Sequence, residues 1–172
     1  MKKIVLVNGL IAGFIPISIF FITMGLYHKN GNFEGGMWIG YASMLLGFSL
    51  IFVGIKNFRD KFNGGVISFG KGFKIGLLIT LVASTLYVIG WLIDLYCFIP
   101  DFAEKYAAAM LDKLKASGAD AAKIAAETKD MDNFVQLYKN PVMVVLFTYV
   151  EILPVGLIIS LIAAAILKKS RR

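Results

Sequence analysis

The chain has 172 residues, 58% of them hydrophobic and 17% charged, with a formal net charge of +7 and a mean hydropathy of +0.75. Soluble domains carry about 45–50% apolar and about 25% charged residues, so an ordinary soluble fold is excluded and an integral membrane protein is expected. The length suits a single membrane domain over 1–172, and the one cysteine, Cys97, excludes an internal disulfide and a cysteine-based zinc cluster.

Behind Lys2 and Lys3, an apolar run from Ile4 to Tyr27 covers 24 residues, enough to cross a hydrocarbon core of about 30 Å. It is too long for the h-region of a cleaved signal peptide, about 7–15 residues, and lacks an A-x-A-like site, so it reads as a span. A glycine-rich connection from His28 to Gly36 leads to a second run, Met37 to Ile55, of 19 residues. A third run covers 75–99 and stops before Pro100, and a fourth covers 142–167 just after Pro141, prolines that suit a helix stop and a helix start. The runs are apolar all round rather than alternating, which argues for helices and against the strands of a transmembrane barrel. The expected fold class is therefore all-α, an integral membrane bundle of four transmembrane helices with spans at 4–27, 37–55, 75–99 and 142–167.

Lysine and arginine set the expected orientation. With the N-terminus in the cytoplasm, the inner segments hold eleven Lys and Arg residues against one acid, Asp60, while the outer segments hold seven lysines against eight acids. That asymmetry follows the positive-inside rule and places both termini on the cytoplasmic side of an inner membrane. Tyr27, Trp38, Tyr41, Trp91, Tyr96 and Tyr149 then fall toward the outer interface. The basic character is a topology signal, and no nucleic-acid partner is expected.

Between spans two and three, KNFRDKFNGGVISFGKGFK alternates Lys56, Arg59, Lys61, Lys71 and Lys74 with phenylalanines. This suits contact with anionic headgroups, each cation near the surface contributing about 1 kcal/mol. Neither G-x-G-x-x-G nor G-x-x-x-x-G-K-[ST] occurs, so a nucleotide cradle is rejected.

Between Pro100 and Pro141 lie 42 outer residues counting both prolines, too long for a plain connection. Phe102, Tyr106, Met110 and Leu114 recur every four residues beside Ala103, Ala107 and Leu111, which gives a helix over 101–115. Gly118 breaks it, and Asp120 is placed to cap a second helix, so an extracytoplasmic helical hairpin over 100–141 is expected.

IGYASMLLGFSLIFVGIKNFRD, GGVISFGKGFKIGL and KNPVMVVLFTYVEILPVGLIISLIAAAILKK resemble the bacterial membrane family of domain of unknown function 4199, over essentially the whole chain. The resemblance implies four spans with the long connection between the last two. It implies no activity, ligand, cofactor or partner, and no functional residue is carried over.

Two ionisable groups lie within the spans, Asp94 and Glu151. An ionised side chain at the bilayer centre costs about 2.5–3.5 kcal/mol on insertion scales. Asp94, five residues before the end of its run at Ile99, is expected to reach the outer interface. Glu151 lies deeper, and Pro154 three residues on removes a backbone donor and is expected to loosen the helix beside it. Two readings of Glu151 stand: a hydrogen-bonded carboxyl that fixes helix packing, or the ligand group of a polar cavity for a proton, cation or substrate, joined there by Asp94. Three G-x-x-x-G pairs, Gly9 and Gly13, Gly36 and Gly40, and Gly72 and Gly76, suggest close helix contacts, within one chain or between chains.

Enzymatic motifs are lacking: H-E-x-x-H and G-x-S-x-G do not occur, and the one histidine, His28, has only Glu34 nearby for a metal site. No catalytic residue, metal or cofactor is expected. The leading function class is a non-enzymatic accessory or structural membrane component acting through lipids, a second copy or another membrane protein. The alternative is a small carrier or channel-like protein built around Glu151.

Overall fold

The computed structural model describes residues 1–30 and 36–170, with the side chains of 1–23 and 38–170. His28, Glu34, Tyr27 and Gly36 thus lie outside the described side chains. Seven α-helices run through the described residues: α1 (Lys2–Asn30), α2 (Gly36–Phe48), α3 (Leu50–Phe62), α4 (Phe69–Cys97), α5 (Phe102–Ala116), α6 (Ala121–Tyr138) and α7 (Pro141–Leu167). Four stretches are long and apolar enough to cross a membrane, Lys2–Thr23, Trp38–Phe62, Phe69–Cys97 and Pro141–Leu167. The chain is an all-helical, multi-pass membrane protein.

The second span corrects the expected one. It covers α2 and α3 together, with Ser49 between them, and runs to Phe62 instead of stopping at Ile55. At Ser49 the hydroxyl donates back to the Leu46 carbonyl at 2.6 Å, and Phe52 N–H reaches only three residues back to Ser49 at 3.1 Å. A serine bonding to its own preceding turn competes with the backbone ladder and tightens the helix locally. Beyond Ile55 the charged stretch stays helical, so the expected loop of 56–74 shrinks to the six residues 63–68 before α4 begins.

The chain divides into two compact units, Met1–Gly90 with Tyr149–Arg172, and Trp91–Thr148. In the first, Met44, Phe48, Ile51, Ile55, Ile75 and Ile79 are completely or almost completely buried. Its helices approach closely where glycine leaves room. A Cβ at Gly13 would stand 2.6 Å from the Ala83 carbonyl oxygen, and one at Gly76 would stand 2.8 Å from the Ser160 hydroxyl. Gly72, Gly76, Thr80 and Ser84, spaced by four along α4, form one buried stripe. Thr80 hydrogen-bonds Ser160 of α7 at 3.1 Å, and Ser160 also donates to the Gly156 carbonyl at 2.7 Å. Small residues and paired hydroxyls are the means by which helices associate where lipid removes the hydrophobic incentive. Of the three G-x-x-x-G pairs, Gly9–Gly13 and Gly72–Gly76 sit at such approaches, whereas no described residue comes within 4 Å of a Cβ at Gly40.

In the second unit, α5 and α6 make the expected hairpin. Gly118 turns the chain at φ 75°, a left-handed conformation that costs glycine nothing. The Asp120 carboxylate accepts from Lys123 N–H at 2.8 Å and caps α6. Asp120→Ala should therefore cost about 1 kcal/mol locally, read as faster amide exchange over the first turn of α6 with the rest of the protein unchanged. Phe102 meets the edge of Trp91 at 4.9 Å between centroids, Phe134 packs on Tyr138 at 4.6 Å, and Tyr106 lies 5.7 Å from Phe134. Trp91 is 8% exposed and belongs to this aromatic cluster, while Trp38, Tyr41 and Tyr96 are exposed.

Candidate functional site

Pro141 opens α7 at a position where a missing N–H costs nothing, and the Asn140 side chain accepts from Val142 N–H at 3.0 Å beside it. The helix then continues through Pro154 to Leu167. Within the first unit its inward side carries Ile152, Gly156, Ser160 and Ala164, all buried. Its outward side carries Val150, Pro154, Ile158, Ile162 and Ile166, exposed and spaced by four. Glu151 is exposed as well, beside Val150, which is 70% exposed.

Glu151 therefore occupies the outside of its helix. It lies 16 residues before Leu167, or about 24 Å along the axis at 1.5 Å per residue, well inside the length that crosses the hydrocarbon. Next to it Tyr149 bonds across to α4, its hydroxyl 2.9 Å from that of Thr85. Asp94 has the opposite fate to the one expected: its side chain is 1% exposed, buried in the second unit with Leu95 and Ile99 instead of reaching an interface. The two carboxylates belong to different units, and each is described alone. The Pro154 side chain is exposed on the same outward side as Val150.

Two cavities among the described residues are lined by neither Glu151 nor Asp94. One of about 360 Å³ is lined by Leu10 of α1 and by Leu81, Val82, Thr85, Leu86 and Ile89 of α4. The other, of about 330 Å³, lies between α5 and α6 and is lined by Met110, Lys113, Leu114, Ser117 and Glu127. Among the described residues, no group of three His, Cys, Asp or Glu side chains is placed to hold a metal.

The basic stretch divides into two sets. Arg59 grips Asp60, Nε to Oδ1 at 2.7 Å, and its Nη1 also donates to the Leu167 carbonyl at 3.3 Å, the last residue of α7. A guanidinium there satisfies an orphan carbonyl and complements the negative end of the helix dipole. Lys71 places Nζ 5.1 Å over the Phe58 ring and 2.8 Å from Asn63 Oδ1. Both therefore have partners within the fold. Lys56, Lys61 and Lys74 are exposed.

Beside them, Ile67 and Lys169 exchange backbone hydrogen bonds at 2.9 Å in each direction, an antiparallel bridge that ties the C-terminal segment to the 63–68 turn. Neither this bridge nor the Arg59 cap was foreseeable by pattern, because each joins residues about a hundred positions apart. The basic-aromatic alternation was the only local signal there.

No curated protein and no solved structure matches the chain. A family model described as "Protein of unknown function (DUF4199)" matches residues 8–169, nearly the whole of it, and the chain belongs to this DUF4199 family.

Proposed function

We propose that this protein is a non-enzymatic accessory or structural component of the membrane, acting through lateral contact along the outward side of α7. The observation that carries this reading is Glu151, a carboxyl exposed on an otherwise apolar helix exterior. Left in lipid, an ionised carboxyl there costs about 2.5–3.5 kcal/mol. A partner helix with a hydrogen-bond donor or cation removes that cost, whether it comes from a second copy or from another membrane protein.

The carrier reading draws no comparable support, since a carrier needs its polar group facing an internal path. Reconstitution separates the two. In proteoliposomes the accessory reading expects no flux of protons, cations or organic ions above empty vesicles. Flux that Glu151→Gln abolishes, with the variant still folded, would establish the carrier instead.

For orientation, the charge asymmetry supports an inner-membrane protein with both termini in the cytoplasm. Reporter fusions after residue 64 should be cytoplasmic and fusions after residue 118 extracytoplasmic; the reverse pattern would invert the topology.

A further inference from the structure

We infer that Lys56, Lys61 and Lys74, with the exposed rings of Phe62 and Phe69, form a docking surface for anionic phospholipid headgroups. This goes beyond the α7 contact and uses a different part of the molecule. Three observations carry it.

First, positive charge dominates the stretch. Asp60 is the one acid in the stretch 56–74, and it is held by Arg59 through two contacts, at 2.7 and 3.2 Å. Arg59 and Lys71 have partners within the fold, and Lys56, Lys61 and Lys74 are exposed with no hydrogen bond or ion pair to another side chain among the described residues.

Second, the cations come with apolar anchors. Phe62 is 66% exposed and Phe69 42% exposed, and each leans on a second ring, Phe62 on Phe58 at 6.5 Å and Phe69 on Phe73 at 6.2 Å. Exposed rings beside lysines at the end of apolar helices suit the headgroup boundary of a bilayer, where the ring enters the acyl edge and the ammonium meets phosphate. A soluble acidic protein or a nucleic acid would leave those rings without a use.

Third, the surface is braced. The Ile67–Lys169 bridge holds the C-terminal segment against the 63–68 turn, so the exposed Lys168 and Lys169 stay beside it. Charged lysines are thereby gathered from the second span, the third span and the chain's end.

The test uses the full-length protein purified and exchanged into mixed vesicles of phosphatidylglycerol and phosphatidylcholine, with retained lipids counted by native mass spectrometry. Phosphatidylglycerol should be retained over phosphatidylcholine by roughly fivefold or more, the ratio that about 1 kcal/mol from a single headgroup contact provides. The triple variant Lys56→Gln/Lys61→Gln/Lys74→Gln should reduce that preference to about twofold or less, with folding unaffected because all three side chains are exposed. Arg59→Gln should keep the preference and lower the thermal midpoint. A wild-type protein that retains both lipids equally would overturn the proposal, as would a triple variant with the wild-type ratio or an Arg59→Gln protein that loses the preference as fully as the triple variant. The three substituted lysines lie on α3 and α4 and leave α7 unchanged, so this result is separate from that of the α7 reading.

Discussion

Gly13→Ala should unfold the protein at a markedly lower temperature, equivalent to a loss of about 1–3 kcal/mol. The added methyl would stand 2.6 Å from the Ala83 carbonyl oxygen, 3.0 Å from Ala83 Cα and 3.1 Å from Leu86 Cβ. Two of these three are main-chain atoms of α4, which no rotamer change can move. The helices must separate, and contacts along the whole α1–α4 seam loosen with them. Gly40→Ala provides the internal comparison. Among the described residues nothing stands within 4 Å of a Cβ at that position, so the same substitution should stabilise by about 0.5–1 kcal/mol through helix propensity alone. Thermal unfolding of both variants in one detergent reads the difference. Equal effects at the two positions would show that the close approach at Gly13 does not hold the bundle together.

Glu151→Leu should act in two directions at once. The isolated chain gains stability, by about 2.5–3.5 kcal/mol if the carboxylate is ionised in lipid, because an apolar side chain now occupies an apolar exterior. Lateral association along α7 is lost, because the polar group that discriminates a partner from lipid is gone. Glu151→Gln keeps hydrogen-bonding capacity and should retain part of the association. Unfolding in a bilayer measures the first effect and the yield of co-purified partner measures the second. A Leu variant that is less stable than wild type would mean that the carboxyl already has its partner within the chain.

The four spans were legible because long apolar runs leave few alternatives in a bilayer, and the hairpin because Gly118 and Asp120 act through their own local chemistry. The end of the second span was not. Hydropathy falls at Lys56, yet lysine and arginine are good helix formers whose stems lie along apolar surface, so the helix continues to Phe62. The placements of Asp94 and Glu151 were inverted for a related reason. Counting residues from a span end gives depth, whereas exposure depends on rotation about the helix axis. In a helix that is apolar on every side the sequence pattern does not say which side faces a neighbour. Spacing alone also does not say which glycines meet a neighbour within the chain: Gly36–Gly40 has the same form as Gly9–Gly13, but among the described residues nothing lies close to Gly40. The aromatic cluster of Trp91, Phe102, Tyr106, Phe134 and Tyr138 arises only once α5 and α6 fold back on each other, although the four-residue stripe on α5 foretold its Phe102–Tyr106 edge.

A photo-crosslinking residue at position 150 in native membranes reads whether the outward side of α7 meets protein and not lipid alone. Two differently tagged copies of the chain are expressed together, so that a second copy and a different membrane protein are told apart in one experiment. A discrete protein adduct, of either kind, is expected, and it should disappear on adding Glu151→Leu. Lipid adducts only, or a protein adduct indifferent to Glu151→Leu, would contradict it.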